Sequence, residues 1–163
     1  RFMAYLRKGH HLHSVHYYDA VWPDSEELQS RHDGQVRFLN ALRRYGFKVW
    51  TKSVVEHYDA KSEQTVMKGN IDVELAVDAM TLCSAGRIDE LILFSADGDF
   101  SYMLDRLHFL YGVITTVIGP NQKTSLDLRD KCDRFVPLEE VSSGFMEKKQ
   151  FTNGLRQEAV GIQ

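Results

Sequence analysis

A run of apolar residues ends in two aspartates on either side of a glycine, in Leu93-Phe94-Ser95-Ala96-Asp97-Gly98-Asp99-Phe100. Glu90 to Phe94 reads as a short strand buried on both faces of a parallel sheet, with a helix starting at Asp99. Ligands of open α/β sheets bind outside the carboxyl ends of the strands, so this is a place where paired carboxylates can do chemistry. One Asp is enough to cap the following helix. Two of them, with Ser95 alongside, exceed that need.

A third acid lies on an upstream helix expected over residues 71–85. At ~100° per residue, Ala79 falls about 20° to one side of Asp72, Ala76 about 40° to the other, and Leu75 about 60° away. Asp72 therefore shares the apolar face, where an unpaired carboxylate is costly. A helix-start role, a basic partner or a cation could offset that cost. Glu74 points to the polar side and reads as solvated. Asp78, about 120° from Asp72, sits at the edge of the apolar face and reads as an outer metal ligand or a structural carboxylate. Carboxylates from separate elements suit a hard divalent cation, Mg²⁺ or Mn²⁺, which takes oxygen ligands and bridges phosphate oxygens. No glycine-rich phosphate loop precedes a helix and no covalent nucleophile stands in a recognised setting, so metal-activated water is the simplest chemistry.

The elements that must position these acids alternate. Residues 1–8 read as the end of a helix, 11–21 as a strand, 25–45 as an amphipathic helix stopped by Gly46, and 47–57 as a second strand. A polar turn at 58–63 and a short return at 64–67 lead into the helix at 71–85. After the strand at 90–94 come a helix at 99–111, a strand at 113–118, a helix at 124–132 and a strand at 135–138. This order predicts an α/β fold, a three-layer α/β/α sandwich around a mostly parallel sheet. Residues 1–141 are expected to form one domain and 142–163 a polar tail.

The bulk composition narrows the classes. The chain has 163 residues, 43% of them hydrophobic and 26% charged, which is ordinary for one globular domain. No apolar run approaches the ~18 residues that cross a bilayer, so no membrane partner is expected. Cys83 and Cys132 lack metal-ligand spacing and read as buried thiols, which points to a reducing, cytoplasmic location. A net charge of −3 makes no overall case for nucleic acid, although an acidic metal site itself lowers the total. His10, His11, His13 and His16 lack a nearby Cys or third acid and read as exposed strand histidines. Lys48, Lys52, Lys61, Lys68, Arg43 and Arg44 read as a solvated face or a phosphate rim, with Lys68 the best placed. Trp22, Trp50 and Tyr58 could stack bases but read better as packing groups. A homo-oligomer stays open.

Three stretches, in order, resemble the NYN domain family, which is related to PIN nucleases and includes the LabA-like proteins. They are Lys68-Gly69-Asn70-Ile71-Asp72 through Asp78, Ser95-Ala96-Asp97-Gly98-Asp99-Phe100, and Leu128-Arg129 through Asp133, Phe135 and Leu138. Ala96 stands where the family usually has Gly. With Tyr17-Tyr18-Asp19, the similarity covers roughly residues 10–141. The resemblance implies a PIN-like fold and metal-dependent RNA cleavage, with Asp72, Asp97 and Asp99 as catalytic metal ligands and Asp78 as a further acid. Ser95 matches a polar neighbour that orients a ligand or caps the helix, and Lys68, beside the acidic motif, is the other expected substrate contact. Family members open with an apolar strand ending in Asp, placed between the strand near Tyr17 and that at Glu90–Phe94. No segment before His11 reads that way, so such a strand is expected upstream of Arg1. Two other readings stay open: a catalytically weak RNA-binding or protein-interaction module, and a hydrolase of small phosphate esters.

Overall fold

The computed structural model describes residues 7, 9, 11–59 and 64–145, with the backbone alone described for 56–59, 64–68 and 142–145. The helix end expected over 1–8, most of the polar turn at 58–63, His10, Lys61, and the chain beyond 145 lie outside the described residues. The elements are β1 (His16–Val21), α1 (Gln29–Arg44), β2 (Lys48–Ser53), β3 (Val55–Asp59), β4 (Gln64–Lys68), α2 (Asp72–Ser84) and β5 (Glu90–Phe94). They continue through a 3₁₀ turn (Gly98–Phe100), α3 (Ser101–Tyr111), β6 (Ile114–Gly119), α4 (Leu126–Lys131), β7 (Arg134–Pro137) and α5 (Leu138–Phe145).

The expected α/β architecture with parallel strands is observed. β5, β6 and β7 form one parallel sheet and β1 and β2 a second parallel pair, while β3 and β4 make an antiparallel arm. The core belongs mainly to the three-stranded sheet. Ala79 and Cys83 of α2 and Met103, Leu104 and Leu107 of α3 pack with Leu93, Val117 and Leu128. Leu104, Leu107, Val117 and Leu128 are fully buried, each a contribution of roughly 1.5–3 kcal/mol relative to exposure.

β1 and β5 are both edge strands among the described residues, and they face each other across a cleft of about 490 Å³. Its rims are residues 11–18 and 87–94, and Leu75, Ala79, Leu82 and Cys83 make an apolar floor.

Several local expectations shift. Sheet pairing on the first strand starts only at Val15, whose carbonyl accepts from the Lys48 N–H at 2.8 Å, so His11 and His13 stand on the cleft rim outside any strand. The single strand expected over 47–57 is two strands. At Val54 the chain leaves the parallel sheet, its N–H closing on the Val21 carbonyl at 2.8 Å while its side chain is buried. Gly69 permits this corner: a Cβ there would stand 2.5 Å from the Ala20 Cβ and 2.7 Å from Val54 Cγ2. The helix expected from residue 99 opens as the 3₁₀ turn, and α5 crosses the expected boundary at 141, with Val141 fully buried.

Candidate active site

β5 delivers the chain to Ser95 at the sheet's carboxyl end, and side chains then shape the loop. The Asp97 N–H donates to Ser95 Oγ at 3.1 Å, and Asp97 Oδ1 accepts from the Asp99 N–H at 3.0 Å. Asp97 is thus the cap of the 3₁₀ turn, as one reading of the sequence expected. That bond occupies one of its oxygens. Asp97 and Asp99 are exposed, and no described side chain hydrogen-bonds or ion-pairs with Oδ2 of Asp97 or with the Asp99 carboxylate. Beneath them Phe100 is buried and anchors the turn to the core.

A neighbouring loop braces this one. The Ser125 N–H donates to the Ala96 carbonyl at 3.0 Å. A Cβ on Gly98 would stand 2.7 Å from Ser125 Oγ, and one on Gly119 would stand 2.6 Å from the Ser95 carbonyl oxygen. Gly119 and Ser125 therefore hold the acidic loop in place, and sequence reasoning did not find them.

Asp72 is the first residue of α2, half-buried, and its N–H donates to Asn70 Oδ1 at 2.8 Å. The helix start is thus served by Asn70, while the positive end of the helix dipole favours the Asp72 carboxylate. α2 leads through a short connection into β5, and Ala79 and Cys83 of the helix share the core with Leu93 of the strand. The donor chemistry fits a hard divalent ion. No three His, Cys, Asp or Glu side chains among the described residues gather closely enough to hold one.

Asp78 faces the other way, towards β1, and its Oδ2 accepts from the Tyr18 hydroxyl at 2.9 Å. Burial first, and then this carboxylate, pushes the Tyr18 hydroxyl well above the usual phenol range. Tyr18 also reaches His16 Nδ1 at 3.3 Å, and His16 Nε2 meets Ser14 Oγ at 3.0 Å. Glu74, expected to be merely solvated, bonds Lys52 of β2 at 2.7 Å, and that bond holds its carboxyl below the ordinary range. Both contacts tie α2 to the β1–β2 pair. Lys68 ends β4, paired with Val55, and its side chain lies outside the described residues. Trp22 stacks under Arg31 with 5.0 Å to the ring centroid, and Trp50 bonds His16 Nδ1 at 3.4 Å, so both have packing partners.

Asp133 of the closing motif is structural. It accepts from the Thr115 N–H at 2.8 Å, the Thr115 hydroxyl at 2.9 Å and His108 Nδ1 at 3.1 Å. Thr115 lies near the start of β6, so this cluster is at the opposite end of the sheet from Asp97.

Comparison with known proteins bears on the family and the fold. The family model described as the NYN domain matches residues 1–139. The low amplitude and bright protein LabA of Synechococcus elongatus is 31% identical over 114 residues, which is 69% of this chain and 59% of that protein. The chain thus spans a little over half the length of that relative. The crystal structure of a protein of unknown function from Vibrio parahaemolyticus superposes with a TM-score of 0.66 at 29% identity, covering 84% of this chain and 75% of the other. Among the described residues no helix is long and apolar enough to cross a membrane. With its parallel sheet, its braced acidic loop and a match spanning residues 1–139, the chain belongs to the NYN domain family and carries a nuclease-like domain.

Proposed function

We propose that this domain is a ribonuclease that hydrolyses RNA phosphodiester bonds with the help of Mg²⁺ or Mn²⁺. The observation that carries the reading is the Asp97–Gly98–Asp99 loop: two exposed carboxylates beyond the end of β5, in a loop held by backbone hydrogen bonds to Ser95 and Asp97 and without a described basic partner. Asp97 and Asp99 hold the ion, with Asp72 approaching from the first turn of α2. Mg²⁺ commonly takes one or two carboxylates and fills its remaining positions with water and substrate phosphate. Bound there, the ion supplies charge neutralisation and a more acidic water. Asp97 orients the loop through Oδ1 and keeps Oδ2 for the ion. Ser95 sets the Asp97 backbone, and its hydroxyl and the Lys68 ammonium are the groups assigned to the substrate phosphate. Asp78, engaged by Tyr18, supports from outside. The setting is cytoplasmic.

The cleft between β1 and β5, with its apolar floor of Leu75, Ala79, Leu82 and Cys83, suits an extended apolar segment such as the first strand that the family resemblance implies. A second reading, a catalytically weak RNA-binding module, is favoured by the lack of a three-acid group among the described residues.

The test is a Mn²⁺ titration by calorimetry together with RNA cleavage, on the 163-residue chain and on a version preceded by an apolar strand ending in Asp. Asp97→Asn keeps the cap, since Asn caps as well as Asp. It is expected to lower metal affinity and abolish cleavage with little change in melting temperature. Unchanged cleavage by Asp97→Asn overturns the site. Metal-free RNA binding without cleavage in every version selects the second reading.

A further inference from the structure

The outward face of the helical layer carries apolar groups where a surface helix ordinarily carries charge. On α3, Tyr102 and Phe109 are each 73% exposed and Leu110 is 53% exposed. At ~100° per residue, Tyr102, Arg106 and Phe109 fall within about 60° of one another, opposite the buried Leu104. The Arg106 guanidinium lies over both rings, 5.5 Å from the Tyr102 centroid and 5.0 Å from that of Phe109. On α2, packed beside α3, Val73 is 69% exposed and Val77 57% exposed. The acidic loop plays no part in it.

The charges on this face are few. Asp105 takes Arg106 Nη2 at 2.7 Å and Lys131 Nζ at 3.4 Å. One positive charge in excess of that carboxylate is little for a phosphate backbone, so the chemistry fits protein better than nucleic acid. The order of residues along α3 fits one protein in particular. Turned end for end about a point midway between Asp105 and Arg106, the helix sets Tyr102 opposite Phe109 and Asp105 opposite Arg106. Aromatic meets aromatic and acid meets base, in both directions at once. A self-complementary stripe of this kind is what an isologous two-fold contact requires.

We infer that the chain forms a two-fold homodimer in which α3 pairs antiparallel with α3 of a second copy, flanked by the valine face of α2. A stable contact needs about 800 Å² per partner. The α3 stripe alone is smaller than that, and in the dimer Val73 and Val77 add to it. The dimer leaves the Asp97–Asp99 loop of each copy at an outer end of the paired helices, so it stands independently of the ribonuclease reading.

The experiment is sedimentation equilibrium of the 163-residue chain across a concentration series, with circular dichroism to check folding. The wild-type chain is expected at twice its 18.8 kDa monomer mass. Asp105→Arg sets Arg against Arg across the axis and Arg106→Asp sets Asp against Asp, and each is expected to weaken the dimer at least tenfold, a factor equal to about 1.4 kcal/mol. The double variant Asp105→Arg/Arg106→Asp restores opposite charges and is expected to return to the dimer. Phe109→Lys gives a folded monomer. A wild-type chain that stays monomeric overturns the inference, as does a dimer indifferent to both single charge reversals or a double variant no better than either single one.

Discussion

The two parallel sheets of this molecule are built to different standards. Around β5, β6 and β7 the side chains close into a continuous core, and the central strand β6 is buried from Thr115 to Gly119. No residue of β1 or β2 is buried, and among the described residues nearby only Leu39 and Val54 are. The second region is held by polar ties instead: Tyr18 to Asp78, Lys52 to Glu74, and Gln35, whose Nε2 donates to Asp19 Oδ2 at 2.8 Å and to the Ala20 carbonyl at 2.9 Å. The acidic loop grows out of the well-packed sheet. Precision of the carboxylates is therefore inherited from a rigid support, while the cleft is bounded on one side by the looser region.

The comparison breaks most sharply under truncation. Leu104→Ala removes a fully buried side chain from the core of the packed half, and a loss of about 2–5 kcal/mol is expected. Trp50→Ala, on a side chain 48% exposed in the other half, is expected to cost about 1 kcal/mol or less. Urea denaturation of the two variants measures the difference. Equal losses mean that the β1–β2 pair shares a common core after all.

Gly119→Ala tests whether the loop depends on that support. The new methyl meets the backbone oxygen of Ser95, which cannot rotate away as a side chain tip could. Overpacking of this kind costs about 1–3 kcal/mol. The expected signature is a moderate stability loss together with weaker Mn²⁺ binding, because Ser95 leads directly into Asp97. Loss of stability with unaltered metal binding separates the brace from the site.

What the sequence disclosed follows the same division. Glu90–Phe94 was legible as a strand from its continuous apolar run, but the expected burial on both faces is not found: only Leu93 is buried and Phe94 is 43% exposed, because the strand lies at a sheet edge among the described residues. The corner at Val54 was not legible, since no proline or turn pair announces it. It depends on Gly69, fifteen residues on, meeting Ala20 and Val54 in space. α5 escaped notice because Leu138-Glu139-Glu140-Val141 offers a single buried side chain, Val141. Helix angles gave no means of seeing that Asp78 turns to Tyr18 or that Gly119 touches Ser95. Those are contacts between elements, and spacing within one element does not encode them.

The finest distinction between the two regions is their expected response to acid. In the β1–β2 region, His16 has its pKa lowered from 6.5, first by burial and then by Lys48, with Asp78 opposing. The folded state favours the neutral ring, so the unfolded chain binds the proton more readily. Stability from this group is full above pH 6.5 and declines as the pH falls through the depressed folded value. In the packed region, Asp133 has its pKa lowered from 3.8, chiefly by the Thr115 N–H, with further help from the Thr115 hydroxyl and His108. Its contribution is intact above pH 3.8 and is lost only as the pH drops through a value lower still. Acid should therefore loosen the cleft side first. Hydrogen exchange followed from pH 7 to pH 5 is expected to show faster exchange at β1 and β2 while β6 stays protected, and His16→Gln is expected to flatten the change at β1. Simultaneous loss of protection in both sheets, or an unchanged profile in His16→Gln, removes His16 as the group that sets the order.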